Sequence, residues 1–179
     1  MGALERLIRQ LQLAHAGERA AAYAYRGHWK SSRATEERVE IRRIEEEEWA
    51  HRRRLGEMLA QLGARPARLR EAIMIFIGRT LGALCWVSGW FMPMYGAGKI
   101  ERRNVHEYLD AAAFARAAGH AELVDDLLTM AEVEWDHERY FRARVGGHWL
   151  LALFPLWTAL PPRASLRGKL ATEPGRITV

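Results

Sequence analysis

Apolar residues recur along four segments of the chain at alternating steps of three and four residues, which keeps them on one face of an α-helix. The segments cover approximately residues 4–30, 35–62, 97–119 and 121–145. Gly63 and Pro66 follow the second segment, and Gly146 and Gly147 follow the fourth, where such residues commonly end helices. The pattern therefore predicts an all-α fold built on four long helices.

Each predicted helix carries a glutamate on its apolar stripe, and the second and fourth add a histidine three residues later. These residues are Glu18, Glu48, His51, Glu101, Glu134 and His137. A solvent-exposed charge run would explain Glu46 and Glu47, but it does not explain ionisable groups on the face that should be buried. A buried carboxylate without a neutralising partner costs several kcal/mol, and the stripes contain no Lys or Arg.

The ionisable residues are arranged as an internal repeat. Glu18 precedes the Glu48–His51 pair by thirty residues, and Glu101 precedes the Glu134–His137 pair by thirty-three. Residues three apart share one helix face, so each pair can reach one centre. Two divalent ions would balance four carboxylates, with both histidines as neutral ligands. This is the ligand set of ferritin-like four-helix bundles that hold two metal ions, and it predicts such a bundle here.

The segment between the second and third helices, residues 63–97, is expected to form a long apolar helical crossover. Its run from Ile73 to Tyr95 is about long enough to cross a bilayer, but a crossing would place Glu48 and Glu101 on opposite sides of the membrane. A buried crossover remains an alternative. The aromatic and methionine side chains at residues 86–94 and the flanking basic residues favour a helix that lies in the membrane interface. The flanking basic residues are Arg65, Arg68, Arg70, Lys99, Arg102 and Arg103.

Composition restricts the remaining possibilities. The chain has 179 residues and is 49% hydrophobic, which excludes a disordered protein and suits one domain over residues 1–160. Its single cysteine, Cys85, excludes a disulfide framework and a cysteine-based zinc site. The N-terminus reads as an amphipathic helix rather than a secretory signal. A short apolar segment at His148–Leu160 is expected to fold back on the crossover or to enter lipid, and residues 161–179 are expected to form a loose, polar and basic tail.

Several stretches together resemble the demethoxyubiquinone hydroxylases, ferritin-like di-iron monooxygenases of ubiquinone biosynthesis. The stretches are LAHAGERAAAYAY at 13–25, EEWAH at 47–51, IGRTLGALCW at 77–86, IERRNVHEY at 100–108 and EVEWDH at 132–137. The resemblance implies that the six residues above bind two iron ions, with Glu48 and Glu134 as bridging carboxylates. It also assigns a catalytic role to Tyr108. One position departs from the family pattern, because Glu107 stands where a histidine is usual and His106 lies one residue earlier.

The resemblance also implies the cofactors, partners and location. A di-iron centre would use O2 as co-substrate to hydroxylate a quinone ring, with electrons from an external donor. The expected partners are a quinone-type lipid and the membrane surface, with a homodimer left open. The protein would be a peripheral protein on the cytoplasmic face of a bacterial cell membrane.

Two other functions for a ferritin-like di-iron protein remain open. One is hydroxylation of a soluble substrate such as tRNA, which would suit the net charge of +5. The other is oxidation or storage of iron, or removal of peroxide. Nucleic acid is not the expected partner, because no basic stripe with base-stacking aromatic residues is found near the site. The apolar crossover argues against iron storage.

Overall fold

The computed structural model describes residues 2–168 of the chain. Five α-helices occupy most of this range: α1 (Ala3–Ser31), α2 (Thr35–Gln61), α3 (Arg68–Leu84), α4 (Phe91–Ala117) and α5 (Val124–Val145). Short 3-10 helices lie at Ala121–Leu123, Trp149–Ala152 and Arg163–Ser165. No strand occurs among the described residues, so the prediction of an all-α fold is confirmed.

The predicted helix-ending residues lie where two of the helices end. Gly63 follows α2 with a φ of 67°, a left-handed conformation that costs glycine little because it has no Cβ. The amide of Ala64 then donates to the carbonyl oxygen of Leu59 at 2.8 Å, which closes the last turn as in a Schellman motif. At the other end of the chain, α5 stops at Val145, directly before the predicted Gly146–Gly147 pair.

The predicted start of the third long helix is wrong by about two turns. The helix α4 begins at Phe91, whereas the sequence pattern placed its start near Ala97. Pro93 lies in the first turn of α4. The amides of that turn need no partner within the helix, so proline is tolerated there. The connection between α2 and α4 is consequently shorter than residues 63–97.

The helices group into two compact units. One unit is Ile8–Pro93 and contains most of α1 together with α2 and α3; the other contains the described residues before Ile8 and after Pro93. The prediction of one domain over residues 1–160 stays a prediction.

Within the Ile8–Pro93 unit, α3 packs on α1 through a seam of glycines. A Cβ atom on Gly78 would lie 2.4 Å from the carbonyl oxygen of Ala20, and one on Gly27 would lie 2.2 Å from the carbonyl oxygen of Gly82. Real Cβ atoms do not approach other atoms so closely. The two helix backbones are therefore in direct contact, as in helix pairs whose interfaces are built from small residues.

The opposite face of α3 is an exposed apolar stripe. The stripe on α3 consists of Leu69, Ile73, Phe76, Ile77, Leu81 and Leu84. Trp86 and Val87 extend it just beyond the end of the helix. Phe76 is 73% exposed and Val87 is 80% exposed. Phe91 and Met94, which were expected to face lipid, are instead buried, whereas Met92 in the same turn of α4 is 41% exposed. Among the described residues, the structure contains no helix of the length and hydropathy needed to cross a membrane.

In the other unit, the segment after α5 packs against α4 and α5. The ring of Trp157 packs against Gly98, since a Cβ added to Gly98 would lie 2.4 Å from Trp157 Cη2. The same ring meets the ring of Tyr95 edge-on, with the two centroids 5.3 Å apart. Its Nε1 donates to Glu138 at 2.6 Å. Part of the predicted apolar segment at 148–160 thus packs within its own unit, although Trp149 is 73% exposed.

The first residues of the predicted tail are ordered against α5. Leu166 is fully buried, and Arg167 donates to Glu132 at 2.6 Å and to Asp125 at 2.5 Å. The expectation of a loose tail is therefore wrong for residues 161–168, because the arginines of this segment meet acidic residues of α5. The rest of the predicted tail lies outside the described residues.

The glycine seam leads to a stability prediction. Replacing glycine by alanine inside a helix is intrinsically favourable by roughly 0.5–1 kcal/mol. At Gly78 the added methyl would push α3 away from α1, and overpacking of this kind costs about 1–3 kcal/mol. We expect Gly78→Ala to lower the melting temperature and Gly96→Ala, whose new Cβ would meet no atom within 4 Å, to leave it unchanged or higher. Equal melting temperatures for the two variants would contradict the seam.

Candidate metal centre

The Ile8–Pro93 unit holds three of the predicted ligands, which form the first triad: Glu18 of α1 and Glu48 and His51 of α2. Glu18 is 3% exposed, Glu48 is fully buried and His51 is 7% exposed. One potential ligand atom from each of the three residues lies within 4.8 Å of those of the other two. The three-residue step from Glu48 to His51 places both on the same face of α2, as the sequence pattern predicted.

The other unit holds the second triad, formed by Glu101 of α4 and by Glu134 and His137 of α5. All three side chains are fully buried, and their potential ligand atoms lie within 4.8 Å of one another. Glu134 Oε2 is 3.7 Å from His137 Nδ1. The side-chain amide of Asn104 lies beside both carboxylates and donates to Glu101 at 3.1 Å and to Glu134 at 3.4 Å.

The second triad places two buried carboxylates close together. Burial raises the pKa of Glu101 well above its ordinary value, and the neighbouring carboxylate of Glu134 raises it further. His137 and the Asn104 amide oppose this effect without cancelling it. In the absence of a cation, Glu101 therefore favours its protonated form, because two anions cannot share a dry site at low cost. A bound metal ion would replace that proton and restore both carboxylates as ligands.

Two other buried carboxylates of the chain have basic partners. Glu45 of α2 is 5% exposed and pairs with Arg26 at 2.8 Å. Glu71 of α3 is 8% exposed and pairs with Arg52 at 2.8 Å. Each of these glutamates is neutralised by an arginine, which is the usual requirement for a buried charge. In the second triad, by contrast, the group beside Glu101 is a second carboxylate.

The donor atoms of the two triads fit a metal ion. Each triad offers two carboxylates and one imidazole, a set that suits iron or manganese and also accommodates zinc. The carboxylates provide the negative charge that a divalent ion neutralises, and their burial leaves little water to compete for it. The buried carboxylate and histidine groups could therefore hold metal, as the sequence analysis expected.

The residues near the predicted catalytic position differ in burial. Tyr108 of α4 is 2% exposed and lies two helical turns after Glu101, so both residues share one helix face. Glu107, which stands where the family usually has histidine, forms an ion pair with Arg103 at 2.5 Å. His106 is exposed. The structure thus gives Glu107 a surface partner on its own helix.

Sequence reasoning missed several polar residues that surround the triads. Asn104 gave no signal beyond lying three residues after Glu101. Glu45 was not singled out from its acidic run, although it accepts hydrogen bonds from the indoles of Trp29 at 2.7 Å and Trp49 at 3.3 Å. His15 was not among the predicted ligands, and its Nδ1 pairs with Glu71 at 2.7 Å.

A comparison with protein families identifies the chain. The model of the family described as ubiquinone biosynthesis protein COQ7 matches residues 4–111, which is more than half of the chain. The chain belongs to this family. This confirms the resemblance to the demethoxyubiquinone hydroxylases, and membership supports an enzyme that hydroxylates in ubiquinone biosynthesis.

The family match covers α1, α2, α3 and most of α4. It therefore includes the first triad, Glu101 and Tyr108, but it ends before α5 and so omits Glu134 and His137. Glu134 and His137 are therefore candidate ligands because of their geometry in the second triad, and the family match does not bear on them. No curated protein and no solved structure matches the chain.

The electrostatics of the second triad predict how metal removal affects stability. The folded-state pKa of Glu101 is raised, so the proton that it binds stabilises the folded chain at low pH. This stabilisation is lost as the pH rises through the raised pKa. Chelated protein should therefore melt lower at about pH 8 than at about pH 6. Metal should reverse the loss, since a ligand at 100 times its Kd stabilises the folded state by about 2.7 kcal/mol. Calorimetry that shows the same melting temperature with and without metal at about pH 8 would contradict a metal role.

Proposed function

We propose that the protein is a di-iron, O2-dependent monooxygenase that hydroxylates a quinone ring at the membrane surface in ubiquinone biosynthesis. The observation that carries this proposal is the presence of two matched triads of buried ligands, each with two glutamates and one histidine. Family membership supports the pathway and the hydroxylation. The proposal adds the metal, the oxidant and the site of action.

In this proposal the two triads together bind two irons in one centre of a ferritin-like bundle formed by α1, α2, α4 and α5. Charge balance fixes the number of ions, because four carboxylates are neutral with two divalent ions. The sequence repeat supports a shared centre, since each half of the chain provides one helix with a single glutamate and one with Glu-x-x-His. Glu48 and Glu134 would bridge the two irons.

A di-iron centre held by the two triads would supply the O2 chemistry of a hydroxylase, in which one oxygen atom enters the ring and the other leaves as water with two electrons from an external donor and two protons. The contribution of the chain is to hold the ligands and to exclude water from the site. Apolar residues on the ligand-bearing helices serve the second purpose, among them Ile44 and Leu55 of α2, which are fully buried. Tyr108 would orient the ring or deliver a proton or an electron.

The exposed stripe of α3 supports action at a membrane surface. Six apolar side chains of α3 and two just beyond its end are exposed together, and contiguous apolar patches of this kind are typical of membrane or protein interaction sites. The exposed Arg65, Arg68 and Arg70 lie at the start of this helix, where they can meet anionic headgroups. Trp149 and Leu153 of the other unit, 73% and 70% exposed, provide a second apolar attachment. A lipid quinone could then enter from the membrane to which the enzyme is bound, on the cytoplasmic face of a bacterial cell.

Iron analysis tests the shared centre. We expect about two irons per chain and loss of most of the iron in the Glu48→Ala, Glu134→Ala double variant. The single variant Glu134→Ala should bind both irons more weakly, because a bridging carboxylate contacts both ions. Tyr108→Phe should keep both irons and lose hydroxylation. A coupled ferric pair gives no paramagnetic resonance signal, so the oxidised wild type should be silent and should show a mixed-valent signal after one-electron reduction; a strong signal of isolated ferric ions would instead indicate two separate mononuclear sites.

Vesicle sedimentation tests the membrane assignment. The chain should sediment with anionic vesicles, and high salt should weaken the binding without abolishing it, since each basic residue near the surface contributes only about 1 kcal/mol. Replacing Leu69, Phe76 and Val87 by serine should release the protein while the iron content stays the same. Val39→Ser is the matched control, because Val39 is 65% exposed but lies on α2, away from the stripe. Full binding by the triple variant would refute insertion of α3.

A further inference from the structure

Glu71 joins α3 to both of the helices that carry the first triad. Its carboxylate accepts a hydrogen bond from His15 Nδ1 of α1 at 2.7 Å and one from Arg19 Nη1 of α1 at 3.1 Å. From α2, Arg52 binds it with two nitrogens, Nη1 at 3.1 Å and Nη2 at 2.8 Å. The two-pronged contact fixes the guanidinium plane as well as its distance.

The carboxylate of Glu71 stays ionised in this environment. Burial raises the pKa of Glu71, but hydrogen bonds from Arg52, His15 and Arg19 bring it below its ordinary value. Glu71 is only 8% exposed, whereas most of the α3 surface around it is open to solvent. It is therefore a buried polar anchor of a helix that also contacts α1 through a seam of glycines.

Arg52 also holds the two ligand-bearing helices to each other. Its Nη1 donates to the backbone carbonyl oxygen of His15 at 2.6 Å. A side chain of α2 is thus tied to the backbone of α1. This link fixes the separation of the two helices at one level along their length, and Glu71 orients the guanidinium that makes it.

This level is the level of the first triad. His15 lies three residues before Glu18, and Arg19 follows Glu18 directly; on α2, Arg52 follows His51 directly. Each residue that contacts Glu71 is therefore within one helical turn of a triad ligand on the same helix. A shift of α1 against α2 here would move Glu18 away from His51.

We propose that Glu71 is a positioning residue for the first triad, acting through Arg52 and His15 to hold Glu18 and His51 at metal-binding distance. The inference rests on the proposed function, because it assumes that the triads bind metal. Residues that orient metal ligands without touching the metal typically change its affinity by about 10- to 100-fold when replaced. Glu71 lies in the same unit as the first triad and acts on Glu18 and His51, so its effect should be larger at the metal position that these two residues hold.

A cobalt(II) titration followed by visible absorption tests this assignment. The wild-type chain should bind cobalt in two steps, one for each triad. In Glu71→Gln, one step should weaken by about tenfold or more and the other by clearly less. Glu57→Gln is the matched control, because Glu57 forms an exposed ion pair with Arg54 at 2.8 Å, also within the Ile8–Pro93 unit. This control should retain both steps.

A second variant keeps the test decisive if Glu71→Gln folds poorly. Arg52→Lys keeps the positive charge but loses the two-pronged contact, so it should weaken the same cobalt step. The double variant should be little weaker than either single variant, since both break one connection. Circular dichroism at the titration temperature shows which variants are folded.

The other outcomes are separable. Unchanged cobalt affinity in folded Glu71→Gln or Arg52→Lys would overturn the positioning role and leave the proposed function intact. Equal weakening of both steps would also overturn it, because it would show general destabilisation. A wild-type chain that binds no cobalt and no iron would overturn the proposed function, and this inference with it.

Discussion

The burial of acidic side chains within a small helical protein is the constraint on which the rest of the structure depends. Four glutamates and two histidines of the triads lie on the faces of long helices where leucine and isoleucine would ordinarily stand. A carboxylate in such a place needs a cation, a proton or several hydrogen-bond donors. The protein uses arginine for Glu45 and Glu71, and in the second triad the Asn104 amide lies beside the two carboxylates. Two divalent metal ions could neutralise the four carboxylates of the triads together.

This constraint explains why polar contacts surround the first triad. Helices held by leucine contacts alone can slide by fractions of an ångström at little cost, whereas metal ligands must be held more closely than that. The bond from Arg52 to the backbone of α1 and the carboxylate of Glu71 provide directional contacts at this point. Hydrogen bonds fix angles as well as distances, which dispersion contacts do not.

Periodicity predicted the helices and the ligands because both are local properties of the chain. The alternating steps of three and four located α1, α2 and α5 to within a few residues, and the repeated spacing of glutamate and histidine identified the two triads. The start of α4 could not be predicted in this way, since the proline at its first turn can end a helix as well as begin one. The partners of Glu71 could not be predicted either. His15 and Arg52 are 56 and 19 residues away in sequence, so only the packing of three helices brings them together.

The contact between Gly27, Gly78 and Gly82 also limits how α3 can turn. Helices that meet through long side chains can roll about their axes, because the side chains change rotamer and fill the new space. Two backbones in direct contact have no side chains between them that could change rotamer. A roll of α3 in either direction would therefore cause a clash with α1. The apolar stripe therefore points in one fixed direction relative to α1. If α3 lies in a membrane surface, the angle at which its unit meets that surface is determined by three residues that have no side chains.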